Sequence, residues 1–143
     1  MNYKNHKIKI LDLKEFIGKT REELRNHLLK EYPKDGWELA GTEYRDWLYE
    51  NPSEAPQELK DESVWFYFMK DVFCHSYCYW DVPFAIWHGT RFRRDGDWLG
   101  NDWYSSHRVV LVETLKSDSL PSETLILEIE IKIGGKRYKL TEI

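Results

Sequence analysis

The sequence predicts an α+β fold. The expected architecture is a mainly antiparallel, curved sheet of about six strands, with a C-terminal β-hairpin and one principal N-terminal α-helix packed on the sheet. A partly closed β-barrel carrying a helix is the alternative. Three observations lead there. Residues 125–133, "LILEIEIKI", alternate apolar with mostly charged side chains, the period of a strand with one face in a core. The runs "SVWFYFMKDVF" and "SHRVVLVETL" are dense in aromatic and β-branched residues, as buried strands are. "GKTREELRNHLLKEYP" carries the marks of a helix with a defined start and stop.

Along the chain, "HKIKILDL" reads as a first strand. Ile8 and Ile10 share one parity and Leu11 and Leu13 the other, which predicts a bulge or bend. Thr20 followed by Glu23 forms a capping box, and Leu24, Leu28 and Tyr32 recur at helical spacing. Pro33 and the turn pair Asp35-Gly36 end that helix. "GWELAGTEYRDWLYENP" fits either period. Trp37, Ala40, Tyr44 and Trp47 suit a helical stripe, Trp37 and Leu39 a strand, and the glycine and β-formers favour the strand. "NPSEAPQELKDES" is a polar, proline-bearing connection and the best candidate for a mobile loop.

"CYWDVPFAIWHGTRF" reads as another extended segment, with Pro83 placing its start at an edge or a bulge. "SDSLPSE" is a turn. Gly134-Gly135 suits a two-residue hairpin turn. That turn would set Ile133 against Lys136, Ile131 against Tyr138, Ile129 against Leu140 and Glu130 against Lys139. No repeat, low-complexity segment or long linker interrupts the chain, so a single globular domain over residues 1–143 is expected.

Composition narrows the function classes. Net charge is −4, so the basic excess that a sequence-independent nucleic-acid binder needs is missing, although Arg91, Arg93 and Arg94 form a local basic spot. Neither a signal peptide nor a membrane-length apolar run is visible, and a cytoplasmic protein without a membrane partner is expected. Cys74 and Cys78 would lie about 13 Å apart on a strand, too far to bridge, and read as free thiols. Aromatic residues make up 15% of the chain, which supplies rings for a core, an interface, or both.

Four constellations could carry chemistry. Cys74, His75 and Cys78 offer zinc-type ligands, with Asp81 or His88 to complete a set, but a second short-spaced couple is missing and adjacent residues point to opposite strand faces. No metal and no cofactor are therefore expected. A nucleophilic catalyst would need Cys74 or Cys78 beside His88 or His107, oriented by Asp81 or Asp102, and no local motif supports it. Gly18-Lys19-Thr20 lacks the earlier glycine of a phosphate loop, since Leu13 stands there, and Thr20 is better explained as a helix cap. Asp95, Asp97 and Asp102 fail the calcium-loop pattern and read as turn formers.

The fourth constellation is "HGTRFRRDGDWLGNDWYSSHR", residues 88–108. Guanidinium forks recognise carboxylates and phosphates, and tryptophan gives a flat contact surface. His88, Arg91, Arg93, Trp98, Trp103 and His107 are the candidate ligand- or partner-binding residues, Arg91 and Arg93 sharing one strand face. The expected function is a non-catalytic binding or inhibitory protein, immunity- or inhibitor-like in composition, that meets a protein partner through this Arg/Trp surface. A small anionic-ligand-binding domain is the next reading. A small hydrolase-type enzyme using His88, His107, Cys74 and Asp102 is the third.

Overall fold

The computed structural model describes residues 2–74 and 79–114, together with the backbone of 129–130 and 141–142. The chain divides into two units, Met1–Glu113 and Thr114–Ile143. In the first unit the strands are β1 (Ile8–Leu11), β2 (Trp37–Leu39), β3 (Trp65–Tyr67), β4 (Phe73–Cys74), β5 (Trp80–Trp87), β6 (Phe92–Trp98) and β7 (His107–Glu113). The helices are α1 (Arg21–Glu31) and α2 (Thr42–Glu50). All seven strands belong to one open sheet. The class is α+β, but the sheet is mixed, because β3 runs parallel to β7 while the other pairs are antiparallel. The sheet does not close, which removes the barrel alternative.

β7 is the spine. On one side it pairs with β1, from Ile8 opposite Val112 to Leu11 opposite Val109. On the other it pairs first with β3 and then with β2. Val109, Val110 and Leu111 are wholly buried because both faces of the spine are covered. Leu24 and Leu28 of α1 pack on the face carrying Tyr67, Phe84, Val109 and Leu111. Tyr44, Trp47 and Leu48 of α2 pack on the face carrying Phe66, Ala85, Phe92 and Val110. The architecture is thus helix, sheet, helix, rather than one helix on one face.

The second helix corrects the strand expected over residues 36–52. Trp37 to Leu39 is extended, but from Thr42 onward Tyr44, Trp47 and Leu48 make a buried helical stripe. The start is fixed from outside the segment: the Asp71 carboxylate accepts the Thr42 N–H at 2.8 Å. Gly41, the residue before the helix, fits closely against that carboxylate, and a Cβ there would collide with it. This long-range cap is invisible to local periodicity. The capping box of α1 forms as expected, with Glu23 N–H donating to Thr20 Oγ1 at 3.1 Å and Thr20 N–H donating to Glu23 Oε1 at 3.0 Å. Asp35 and Gly36 both take positive φ, of 54° and 84°, in the tight turn that leads into β2.

Two further expectations change. Pro83 lies within β5, between β6 on one side and β3 and β4 on the other, not at a sheet edge. Its carbonyl accepts Phe68 N–H at 3.0 Å, and its missing N–H falls where the partner of β5 changes from β3 to β4. The polar connection after α2 holds two 3-10 turns, Pro52–Glu54 and Gln57–Leu59, and is pinned to the core by fully buried Leu59.

In the second unit, Ile129–Glu130 pairs antiparallel with Thr141–Glu142. The register differs from that expected: Glu130 stands opposite Thr141 rather than Lys139, and Ile129 opposite Glu142 rather than Leu140. A two-residue slip keeps the same faces, so alternation identifies the strands without choosing between such registers. The Gly134-Gly135 turn and the "SDSLPSE" turn lie outside the described residues.

Arg21 joins α1 to the β5–β6 hairpin. Its guanidinium is 2% exposed, contacts Asp97 Oδ2 at 3.1 Å, donates to the Trp98 carbonyl at 3.4 Å and lies over the Tyr67 ring at 5.3 Å. Removing one member of a buried pair strands the other. Arg21→Ala is therefore expected to lower the unfolding free energy by about 3 kcal/mol, read as a fall in the urea midpoint. An unchanged midpoint would show that the pair holds nothing together.

Candidate functional site: the arginine-rich end of the β5–β6 hairpin

β5 and β6 pair in continuous register from Asp81 opposite Trp98 to Trp87 opposite Phe92. Residues 88–91 turn the chain, with His88 N–H donating to the Arg91 carbonyl at 2.8 Å and Gly89 at φ 74°. The positive φ suits glycine and would strain other residues. At this end His88, Arg91, Phe92, Arg93, Arg94 and Tyr49 of α2 line an open cavity of about 410 Å³.

The arginines approach the cavity differently. Arg94 packs over the Tyr49 ring, 4.0 Å from its centre, and bonds Asp46 at 3.0 Å. Arg93 lies on the other face of the sheet, over the Phe84 ring at 5.9 Å, with Asp95 at 3.7 Å. Arg45 of α2 donates to Asp46 at 3.2 Å and to the Asp95 carbonyl at 2.7 Å. Arg91 is exposed and has no carboxylate partner among the described residues. Four guanidinium groups (Arg45, Arg91, Arg93, Arg94) thus stand near three carboxylates, Asp46, Asp95 and Glu62, the last beside Gly89 of the turn, in a chain of net charge −4. Unneutralised guanidinium forks beside an open cavity attract carboxylates and phosphates.

Of the six residues proposed from sequence, this end brings together His88, Arg91 and Arg93. Trp98 belongs to the far end of β6, about 20 Å away along the strand. There its exposed ring meets Tyr79 edge-on, with centroids 5.4 Å apart, near exposed Trp80. Trp103 is 1% exposed and packs on Tyr67 and His107, so it offers no surface to a partner. His107 is buried among Trp65, Tyr67, Trp103 and Tyr104. It does not return beside His88 on a long hairpin, because β7 pairs with β3 and lies on the far side of β5 from β6.

The segment after β6 serves α1. Arg21 N–H donates to the Asn101 carbonyl at 2.8 Å and Glu22 N–H to the Leu99 carbonyl at 2.9 Å. These are first-turn amides with no partner inside the helix. The aspartates there act as turn formers and ion-pair partners. Asp95 Oδ1 accepts Gly96 N–H at 2.8 Å, and Asp97 Oδ1 accepts Trp98 N–H at 2.9 Å and Asn101 Nδ2–H at 2.9 Å. Among the described residues no three His, Cys, Asp or Glu side chains stand close enough to share a metal ion. Cys74 is an exposed free thiol, whereas His75 and Cys78 lie outside the described residues. No described helix is long and apolar enough to cross a membrane.

Tyr49, Arg94 and Arg45 are the site residues that sequence reasoning left out. Tyr49 and Arg45 arrive on α2, and the Tyr44, Trp47, Leu48 stripe was the signal that would have brought them in. No protein-family model, no curated protein and no solved structure matches this chain.

His107 supplies a pH test of the interior beside the hairpin. Burial, then the nearby Arg21 cation, pushes its imidazole down from 6.5 to about 4, partly opposed by Asp97 and reinforced by Arg108. Its Nδ1 accepts the Tyr104 N–H at 3.4 Å, a bond that only the neutral ring can accept there. With the folded value depressed, the unfolded chain takes up the proton first. The contribution is fully present above pH 6.5 and is lost as pH falls toward 4. His107→Gln is expected to flatten the urea midpoint over that window relative to the native chain. Parallel profiles for the two proteins would contradict the assignment.

Proposed function

We propose that this chain is a binding protein that recognises an acidic group on a partner protein through the arginine-rich end of the β5–β6 hairpin. The observation that carries the reading is that His88, Arg91, Arg93 and Arg94 all line one open cavity at the end of the hairpin, with Arg91 in no ion pair among the described residues. The cavity is built on rigid supports. β6 is registered on β5 over its whole length, and Arg45 and Asp46 brace it from α2. Such preorganisation lowers the entropic cost of binding. Net acidity disfavours a long nucleic acid, since phosphate contacts must be made against overall repulsion.

A free small anion is the second reading, favoured by the cavity volume of about 410 Å³, within the usual range of small-molecule sites. Both readings place the charge recognition on the same arginines. Titration with fluorescently labelled poly-L-glutamate is expected to show binding that weakens as salt rises. The doubly reversed variant Arg91→Glu/Arg93→Glu should lose that binding while keeping the native melting temperature, because both side chains are exposed. Undiminished binding by the variant would reject the site. Citrate that binds saturably, while poly-L-glutamate does not, would favour the small-anion reading.

A further inference from the structure

A second cavity, of about 550 Å³, lies where the chain enters β1. Two chain segments supply its charged lining. The N-terminal segment brings the cations Lys4 and Lys7, and the connection after α2 brings the anions Glu54 and Glu58. Ile8, Trp37 and Pro56 add apolar surface. Both segments are held in place. The Tyr3 carbonyl accepts His6 N–H at 3.0 Å, Lys7 N–H donates to the Glu113 carboxylate at 2.8 Å, and Glu113 N–H donates back to the Lys7 carbonyl at 3.1 Å. The 3-10 turns that carry Glu54 and Glu58 are pinned by buried Ala55 and Leu59. A lining fixed before the ligand arrives lowers the entropic cost of binding.

The charges of this lining are not spent on one another. Lys4, Lys7, Glu54 and Glu58 are all exposed, and none of them forms an ion pair among the described residues. Two cations and two anions therefore share one cavity with no net charge. A ligand of a single sign is attracted by one segment and repelled by the other, whereas a ligand carrying both signs is attracted by both. His6 shares the lining, and its Nε2 is a buried polar atom without a hydrogen-bond partner among the described residues. Buried polar groups are ordinarily paired, so a polar ligand atom beside His6 has a bond to gain.

We propose that this cavity binds a small zwitterion with a hydrocarbon side chain, either a free apolar amino acid or an apolar dipeptide. Lys4 and Lys7 engage its carboxylate, Glu54 and Glu58 its ammonium, and Ile8, Trp37 and Pro56 receive the side chain. The volume of about 550 Å³ lies within the usual range of small-molecule sites. The repulsive half of each contact supplies the selectivity, because removing either ligand charge leaves the other facing a like-charged pair. No residue lines both this cavity and the arginine-lined one, so the two sites stand or fall separately.

The test follows backbone amide shifts of the full chain by NMR during titration with L-leucine, L-leucyl-L-leucine, isocaproate and isoamylamine. Isocaproate keeps the leucine side chain and the carboxylate, and isoamylamine keeps the side chain and the ammonium. Leucine or the dipeptide is expected to shift the amides around Lys7 and Glu58 saturably, with each singly charged analogue at least about tenfold weaker. Whichever zwitterion binds more tightly assigns the ligand to free amino acids or to peptides. The variant Glu54→Gln/Glu58→Gln, altered only at exposed side chains, should keep the native melting temperature and lose the preference for that zwitterion over isocaproate. Singly charged analogues that bind as tightly as the zwitterions overturn the proposal. So does the lack of a saturable shift with both leucine and the dipeptide, or a variant that keeps the full preference.

Discussion

The buried guanidinium of Arg21 is the interaction on which the placement of the hairpin depends. A charge that is 2% exposed must be matched inside the protein, and Arg21 is matched by Asp97 from β6, the Trp98 carbonyl and the Tyr67 ring from β3. Tyr67 closes the group by donating its hydroxyl to the same Asp97 oxygen at 3.1 Å, and burial raises its phenol well above the ordinary range. One side chain at the first position of α1 thereby fixes the Trp98 end of β6 against the sheet. The Leu99 and Asn101 carbonyls bind the first-turn amides of the same helix, so β6, the loop behind it and α1 are one unit.

The other end of β6 carries the arginine-lined cavity. On the opposite face Arg45 and Arg94 share Asp46, and Arg94 stacks on Tyr49, so α2 supports the hairpin without matching all of its positive charge. The two halves of the strand differ in what their side chains do. Asp95 and Asp97 cap outward amides toward Trp98, whereas Arg91, Arg93 and Arg94 line the cavity at the other end. The exposed aromatic group of Tyr79, Trp80 and Trp98 stands at the capped end, about 20 Å from Arg91. The Arg/Trp segment is therefore two surfaces separated by the length of β6, not one.

Much of this was legible in the sequence, and the failures have a common cause. α1 and its capping box, the buried runs of β3 and β7, and the grouping of His88, Arg91 and Arg93 rest on neighbours close in sequence. The residues misjudged are those governed by distant partners. The start of α2 depends on Asp71, 29 residues from the Thr42 amide it caps, and Pro83 is tolerated because β3 ends opposite it. Trp103 and His107 looked like part of a binding surface because tryptophan and histidine serve surface and core alike. Their contacts with Tyr67 decide the matter, and no local pattern reports them. The parallel pairing of β3 with β7 is likewise a property of the whole sheet.

The central claim is that the buried Arg21–Asp97 pair anchors the Trp98 end of β6. Amide hydrogen exchange along β6, followed by NMR, measures this directly. The account predicts slow exchange at Asp97 and Leu99, whose amides bond toward β5, and a marked loss of that protection in Arg21→Ala while Arg93 keeps its own. Protection at Asp97 and Leu99 that is unchanged in Arg21→Ala would contradict the account.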